Sequence, residues 1–462
     1  MRPLRPSRHR LAVLAAATVL TGAAVAATAM GPSIPPTPAT PAAYPSIAHP
    51  AQYTTYDGRG RATGKAGWHW TSTGGNCCEI YLQSTAAGRI LEYGGTYPYT
   101  SDDHGKTWQQ VVFSTPLVNG EGAIVAGPKG NVYGIGWDPY TGDHLQAVVY
   151  GAADNRWRVA EAPLKTPFFD REWITYAKGP FVLGGQTVPF VTIVRGGGVD
   201  KSVELLSGDG LTYLNTSIPG QEVKASQAEP KRFTIPVVAN PDADNWQPNP
   251  GAFTLPLTGG GVLLMDNSDD NLGCDAAHLN AGTATWECVS LAWKPQGTVR
   301  QDSRGWLTQV HKVGTTALDL GLSKDGGVTW RHTTLTPPKG GTLEGGAEFL
   351  DVKVDGRRGE AVVAARVDDA AGKGQDLVWR VDTRTTQPRV AKIYAVGLGD
   401  ISTVIGVLGA TSDRFDFPSL TLLPDGRIAA SFDDSTVPRS QVRDVVPATN
   451  PTGHSPAIAI LD

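Results

Sequence analysis

Charge is scarce in this sequence. Only 18% of the residues are Asp, Glu, Lys or Arg, and the formal net charge is −4. A nucleic-acid binder would carry a basic stripe, and none is present. No stretch of useful length repeats apolar residues at helical spacing, which excludes a helical bundle. The four cysteines and nine histidines never fall at metal-ligand spacing, which argues against a zinc module. His69, His104, His278 and His311 are scattered and read as solvated or structural. The sequence also lacks a Gly-x-Ser-x-Gly elbow, a His-Glu-x-x-His helix and a phosphate-binding glycine loop. Three large families of hydrolase and nucleotide chemistry are thereby set aside.

What is abundant is glycine, at 55 residues, together with 34 prolines and 12 tryptophans. That mixture fits many short strands joined by turns. At 462 residues the chain is long enough for one large repeat domain or two ordinary ones. Its start is basic, with Arg2, Arg5, Arg8 and Arg10, and continues in a small apolar run from Leu11 to Ala29. Ala27-Thr28-Ala29 supplies a cleavage signal, so residues 1–29 are expected to be a signal peptide and the protein to be secreted, with no membrane span in its mature form. Residues 30–50, rich in Pro, Ala and Thr, read as a disordered linker, which leaves residues 51–462 for the folded domain.

Export implies oxidised cysteines. A bridge between Cys274 and Cys288 is the simplest pairing. Cys77 and Cys78 are adjacent, a geometry that strains a disulfide. Cross-pairing of the two sets stays open.

From about residue 75 a glycine turn followed by a short apolar strand recurs. It occurs at Gly88, Gly130, Gly179, Gly261, Gly305, Gly359 and Gly426, at intervals that suit repeated four-stranded units. Two of these units carry a common octapeptide, Ser-x-Asp-x-Gly-x-Thr-Trp. It reads Ser101-Asp102-Asp103-His104-Gly105-Lys106-Thr107-Trp108 and Ser323-Lys324-Asp325-Gly326-Gly327-Val328-Thr329-Trp330. A carboxylate that accepts backbone N–H bonds across a turn, a glycine free to take positive φ and an aromatic packed beneath make a hairpin turn. Ser207 to Tyr213 is a worn copy, and Ala153 to Trp157 and Ala281 to Trp286 hold the same place in other units.

The octapeptide resembles the Asp box of the sialidase-like β-propellers, also called the bacterial neuraminidase repeat. The resemblance implies an all-β fold: a single propeller of seven four-stranded blades, with six as the fallback. Tyr53 to Tyr56 or Trp68 to Trp70 would complete the first or last blade and protect the sheet edges. In that family the box is a folding element away from the active face. The family's sialidases clamp substrate with three arginines, the first in a Phe/Tyr-Arg-Ile-Pro motif. Here no such motif opens the mature chain, and Lys231 to Pro236 has similar letters in the wrong order. No catalytic residue is carried over.

Propeller geometry sorts the loops onto two faces. The face opposite the glycine turns collects Asp138, Asp266, Asp269, Asp368 and Asp433 where second strands run out. Acids converging there can hold Ca²⁺ or form a general acid/base pair; equally, Asp and Asn simply favour turns. Phe168-Phe169-Asp170-Arg171-Glu172-Trp173 resembles the Asp-Arg-x-Trp segment between blades of secreted repeat propellers. Asp170, Arg171 and Glu172 suit an oriented ion-pair network, a metal rim or sugar recognition, or else stitch two blades together. Segments 245–250 and 414–418 each place an aromatic beside polar groups, as a sugar site requires. The expected function is recognition of an extracellular glycan or cell-surface ligand by a monomer, with catalysis unassigned. The alternatives are a non-catalytic scaffold that binds protein or cell envelope, and an authentic exo-sialidase.

Overall fold

Short strands bounded by turns are what alternating apolar sequence between glycines dictates, and they build the whole of the described chain. The computed structural model describes residues 51–72, 81–93, 98–110, 121–137, 144–160, 164–165, 170–183, 186–197, 202–206, 209–211, 213–219, 231–233, 254–257, 261–265, 276–279, 286–291, 297–343, 350–368, 374–396, 419–434 and 455–461. All of them fall in one compact unit, residues 34–462. None of the described helices is long and apolar enough to cross a membrane.

A hairpin of β1 (Ala51–Asp57) and β2 (Ala62–Ser72) comes first. Then β3 (Tyr81–Ser84), β4 (Ile90–Tyr93), β5 (Tyr99–Ser101) and β6 (Gln109–Gln110) form an antiparallel meander. The pattern repeats in β7 (Glu121–Ala126), β8 (Val132–Trp137), β9 (His144–Gly151) and β10 (Arg156–Val159), with β11 (Leu164–Lys165) also beside β9. It repeats again in β12 (Asp170–Leu183), β13 (Gln186–Gly197), β14 (Ser202–Leu206) and β15 (Tyr213–Pro219). Next come β16 (Lys231–Phe233), β17 (Thr254–Pro256), β18 (Val262–Met265), β19 (Ala276–Leu279) and β20 (Trp286–Leu291). The last four form a meander, and β16 joins its outer edge parallel to β20. The run Lys231-Arg232-Phe233 is therefore an edge strand.

A further meander is β21 (Thr298–Gln301), β22 (Leu307–Val313), β23 (Ala317–Ser323) and β24 (Arg331–Leu335). The short β25 (Thr342–Leu343) then precedes β26 (Leu350–Asp355), β27 (Glu360–Asp368), β28 (Gly374–Asp382) and β29 (Arg389–Val396). The final group is β30 (Ser419–Leu422), β31 (Ile428–Asp434) and β32 (Ser455–Leu461). It lacks a fourth strand of its own, and β2 supplies it: Trp68 pairs with Leu461 and Ser72 with Ala457. The other strand of that hairpin, β1, pairs with β29 through Thr55 and Tyr394. One ten-stranded sheet results, spanning the last two groups. Of the two stretches expected to complete the first or last group, Trp68 to Trp70 completes the last, whereas Tyr53 to Tyr56 adds a fifth strand beside β29 in the group before it, and both outer edges are covered.

The first strands of successive groups are neighbours in the order β3, β7, β12, β17, β21, β26 and β30, and β30 lies against β3. A first strand has no ladder partner on its inner side, so its N–H and C=O groups need others. Side chains of the preceding group in that order supply them. Ser419 Oγ accepts the Leu82 N–H at 2.9 Å and Thr421 Oγ1 accepts the Ser84 N–H at 2.8 Å. The Asp351 carboxylate accepts the Leu420 N–H at 2.7 Å, and Arg300 Nε donates to the Val352 carbonyl at 3.2 Å. Between the sheets lie the apolar faces: Leu82, Ile90 and Trp108 pack with Ala429, Ile458 and Ile460, and Val362, Ala364 and Val378 with Leu420, Ile428 and Ala430.

Six of the seven expected glycine turns fall between first and second strands, and their glycines have positive φ. The third does not. Gly179-Pro180 lies inside β12, where the register slips between Lys178 and Phe181, and the strand runs on to Leu183 before pairing back with Gln186. Proline cannot donate to a ladder, and a bulge is where a strand tolerates one.

Candidate functional site

The glycine turns and the octapeptide turns share one end of the strand groups, here the turn end. Second strands finish at the other, open end. The two ends differ in what their carboxylates do.

At the turn end nearly every described aspartate closes its own hairpin. Asp302 accepts the Arg304 and Trp306 N–H groups at 2.8 and 3.2 Å, and its second oxygen accepts Arg304 Nε at 2.8 Å. Asp425 does the same with Arg427, at 2.9 Å to the N–H and 2.7 Å to Nε. Asp57 with Arg61, Asp355 with Arg358 and Asp382 with Arg384 repeat the device. An Asx turn fixes the backbone and the arginine neutralises the carboxylate. The Arg61 side chain and N–H together hold the Asp57 carboxyl at about 2. Aspartates tied in this way spend much of their acceptor capacity and their charge within the turn. Sequence reasoning missed the device, although Asp-x-Arg beside a turn glycine is visible as a pattern.

At the open end buried ionisable groups are set into the strand walls. Glu92, on β4, is 1% exposed, and its Oε2 has no hydrogen-bond partner. It stands opposite Leu82 and Tyr99, and burial pushes its carboxyl up to about 8. On β27 and β28, Arg366 and Asp376 face each other across the ladder, with Nε and Oδ1 4.0 Å apart. Burial pushes Asp376 up to about 7, and Arg366 keeps it from rising further. On the inner strand β26, Asp351 takes Lys353 Nζ at 3.0 Å and has Arg300 at 4.0 Å. Perturbed carboxyls occur at functional sites and in structural ion-pair networks alike. Chemically, a carboxyl that stays protonated near neutrality is the kind of group general acid chemistry uses.

The acids singled out from sequence fall at this same end as far as the backbone is described. Asp368 closes β27 opposite Gly374, Asp433 lies near the end of β31 opposite Pro456, and Asp170 and Glu172 open β12 opposite Gly197 and Gly196. Arg171 sits between them at a register slip. Asp138 directly follows β8 and Asp266 directly follows β18; both, with Asp269, lie outside the described residues, as do segments 245–250 and 414–418. Among the described residues no group of three or more His, Cys, Asp or Glu is arranged to hold a metal ion. Glu92, Asp376 and Asp351 were missed. The signal for the first was a charge inside an apolar strand, Ile90-Leu91-Glu92-Tyr93.

Cys288 lies on β20 opposite Ala277, while Cys77, Cys78 and Cys274 lie outside the described residues. Both octapeptides form the turns expected of them. The worn copy keeps part of the device, with Asp209 accepting the Leu211 N–H at 2.9 Å, and Trp157 is 2% exposed at the corresponding place in the second group.

No family model matches the sequence, and no curated protein matches it. Solved structures do. One from Dyadobacter fermentans, of unknown function, is 11% identical over 90% of this chain and 100% of its own, with a TM-score of 0.36. A mutant of NanB sialidase from Streptococcus pneumoniae is 13% identical over 85% of this chain and 70% of its own, with a TM-score of 0.33. A polysaccharide lyase described as an ulvan lyase is 9% identical over 78% of this chain and 93% of its own, with a TM-score of 0.37. Likeness at these values assigns neither family nor activity.

Proposed function

We propose that this chain is a secreted, seven-bladed β-propeller of sialidase-like type that recognises an extracellular glycan at its open end. The blade count is supported by the closed order of first-strand neighbours, with β30 lying against β3. The observation that carries the choice of end is the division of labour among carboxylates. Several of those at the turn end are tied into Asp–Arg clamps. Those at the open end include two buried carboxyls held near or above neutrality, in the same region as the strand ends that carry Asp368 and Asp433. A sugar offers hydroxyls and ring oxygens, which ionised carboxylates and arginines bind well.

The test is a panel of fluorogenic glycosides that includes a sialoside, run with and without a chelator, beside melting shifts with the free glycans. Asp368→Asn and Asp433→Asn should lower turnover or abolish the melting shift, whereas Asp57→Asn at the turn end should leave both intact. Silence across the panel and no melting shift would favour a scaffold that binds protein or cell envelope. Release of sialic acid would restore the exo-sialidase reading.

A further inference from the structure

Three segments far apart in sequence meet on the outer edge of the group β26 to β29. The turn of the β1–β2 hairpin, residues 57–61, is seated between the other two. Gly58 lies so close to the Val390 carbonyl that a Cβ there would collide with it, and Gly60, at a φ of 72°, lies beside Pro338. The turn before β29 reaches the start of β24, where Gln387 Nε2 donates to the His332 carbonyl at 2.6 Å. Aligned pairs fix the rest, with Asp57 opposite Lys392 and Asp382 opposite Arg389. Positive charge collects at this meeting point. Residues 57–61, 331–340 and 382–392 together hold seven Arg and Lys but two carboxylates, in a chain whose formal net charge is −4. Both carboxylates, Asp57 and Asp382, are closed by their own turn arginines, Arg61 and Arg384. Asp319, the carboxylate that reaches this edge from β23, takes His332 Nδ1 at 2.6 Å. Arg59, Arg331 and Lys339 are exposed and pair with no described carboxylate, and Arg389 and Lys392 are exposed beside them. Turn arginines elsewhere in the fold are neutralised by an aspartate two to four residues away. Here the excess charge faces solvent. None of the three stretches is a basic run by itself, and the fold alone brings them together.

We propose that this edge is a docking surface for a polysaccharide that bears carboxylate or sulfate groups. It makes no use of Asp368 or Asp433, so this reading and the open-end reading stand or fall separately. Guanidinium forks match the paired oxygens of carboxylate and sulfate. Cations carried on separate turns suit a chain of repeated charges better than a single small anion. Thr334, Thr336 and Thr386, exposed on the same segments, offer hydroxyls to those of the sugar rings. Other carriers of negative charge find less to hold. The exposed large apolar residues among the described ones are Val313 and Val328, and neither lies on these segments. A lipid surface is held by an apolar face as well as by charge. A protein partner needs an aromatic or aliphatic centre, and a nucleic-acid single strand needs rings on which to stack.

Binding of the whole chain to immobilised dextran sulfate and polygalacturonate, with neutral dextran beside them, tests this at low salt. Retention on either charged polymer is expected, lost as salt rises and absent on neutral dextran. No retention, or equal retention on neutral dextran, would overturn the proposal, as would tighter binding to duplex DNA or to anionic phospholipid vesicles. Arg59→Gln, Arg331→Gln and Lys339→Gln combined should weaken binding about tenfold, the sum of three exposed charge contacts, and leave the melting midpoint unchanged. Lys106→Gln, Lys129→Gln and Arg156→Gln take the same charge from exposed positions of the first two groups and should leave the affinity as it is. An equal loss in that second variant would mean that net charge alone is read, and the surface would be refuted. If the first variant does not fold, hydrogen exchange of the unmodified protein with and without polymer decides instead. Exchange should slow in 57–61, 331–340 and 382–392 and stay unchanged in 101–108. Slowing spread over all sheets, or none, excludes the surface.

Discussion

The two octapeptides are the same sentence set in different surroundings. Their internal bonds agree within a tenth of an ångström. The serine hydroxyl donates to the aspartate at 2.9 Å in the first and 2.8 Å in the second, and accepts the glycine N–H at 2.7 Å in both. The aspartate accepts the threonine N–H at 2.8 and 2.9 Å and the threonine hydroxyl at 2.6 Å in both. Outside that circuit they part. Trp108 is 1% exposed and packs between sheets. Trp330 is half-buried and donates its ring N–H to the Gly327 carbonyl at 2.8 Å. The second motif position reaches the neighbouring glycine turn in both, by an Asp102–Arg89 ion pair in one case and by Lys324 on the Trp306 ring in the other. Arg304 covers the same ring, also at 3.7 Å. The motif thus specifies a turn, and what the turn holds together depends on its neighbours.

The largest expected difference between the copies lies in their tryptophans. Trp108→Ala opens a cavity in a closed seam and should cost about 3–5 kcal/mol. Trp330→Ala gives up a partly wet surface and one hydrogen bond, and should cost about 1–2 kcal/mol. Denaturant melts of the two variants decide it, and equal losses would mean that the Trp108 seam relaxes around the gap.

The aspartates should instead behave alike. Asp103→Ala and Asp325→Ala each break the same three bonds, at an expected cost of about 1–2 kcal/mol. Burial opposes ionisation of both carboxyls, but bonds from the threonine hydroxyl and N–H and from the serine outweigh it and hold each below its usual range. A depressed folded value contributes stability above the ordinary carboxylate range and loses it as pH falls below about 4. Both variants should therefore unfold in acid with a shallower pH dependence than the parent. A variant whose acid limb stays as steep would show that its box carboxylate is not among the groups driving acid unfolding.

The same contrast explains how much was legible beforehand. The turns could be read because Ser, Asp, Gly and Thr act on their own backbone within eight residues. The pairing of Trp68 with the last strand was foreseeable only as an aromatic stretch in need of a sheet, since its partner Leu461 lies at the far end of the sequence. Gly179 misled because a Gly-Pro pair signals a turn locally, while the long ladder from Asp170 to Leu183 prefers to absorb it as a bulge. The open-end acids on second strands could be placed from the repeat alone. Glu92 and Asp376 could not, because their importance rests on being enclosed by sheets that no local pattern names.

The smallest expected effect isolates backbone from packing. The fourth motif position takes positive φ in both copies, 61° at His104 and 71° at Gly326. A side chain there costs roughly 1 kcal/mol or more, and glycine avoids the cost while adding disorder to the unfolded chain. His104 also carries a buried Nδ1 without a partner, so its imidazole offsets little of the strain. His104→Gly should therefore stabilise the first box by a few tenths of a kcal/mol, up to about 1. Gly326→Ala should destabilise the second by about 1 kcal/mol. A melting midpoint that falls in the His104 variant would mean that the imidazole has a packing role worth more than the strain it imposes. The two turns would then be alike in their bonds and different in what their fourth residue is for.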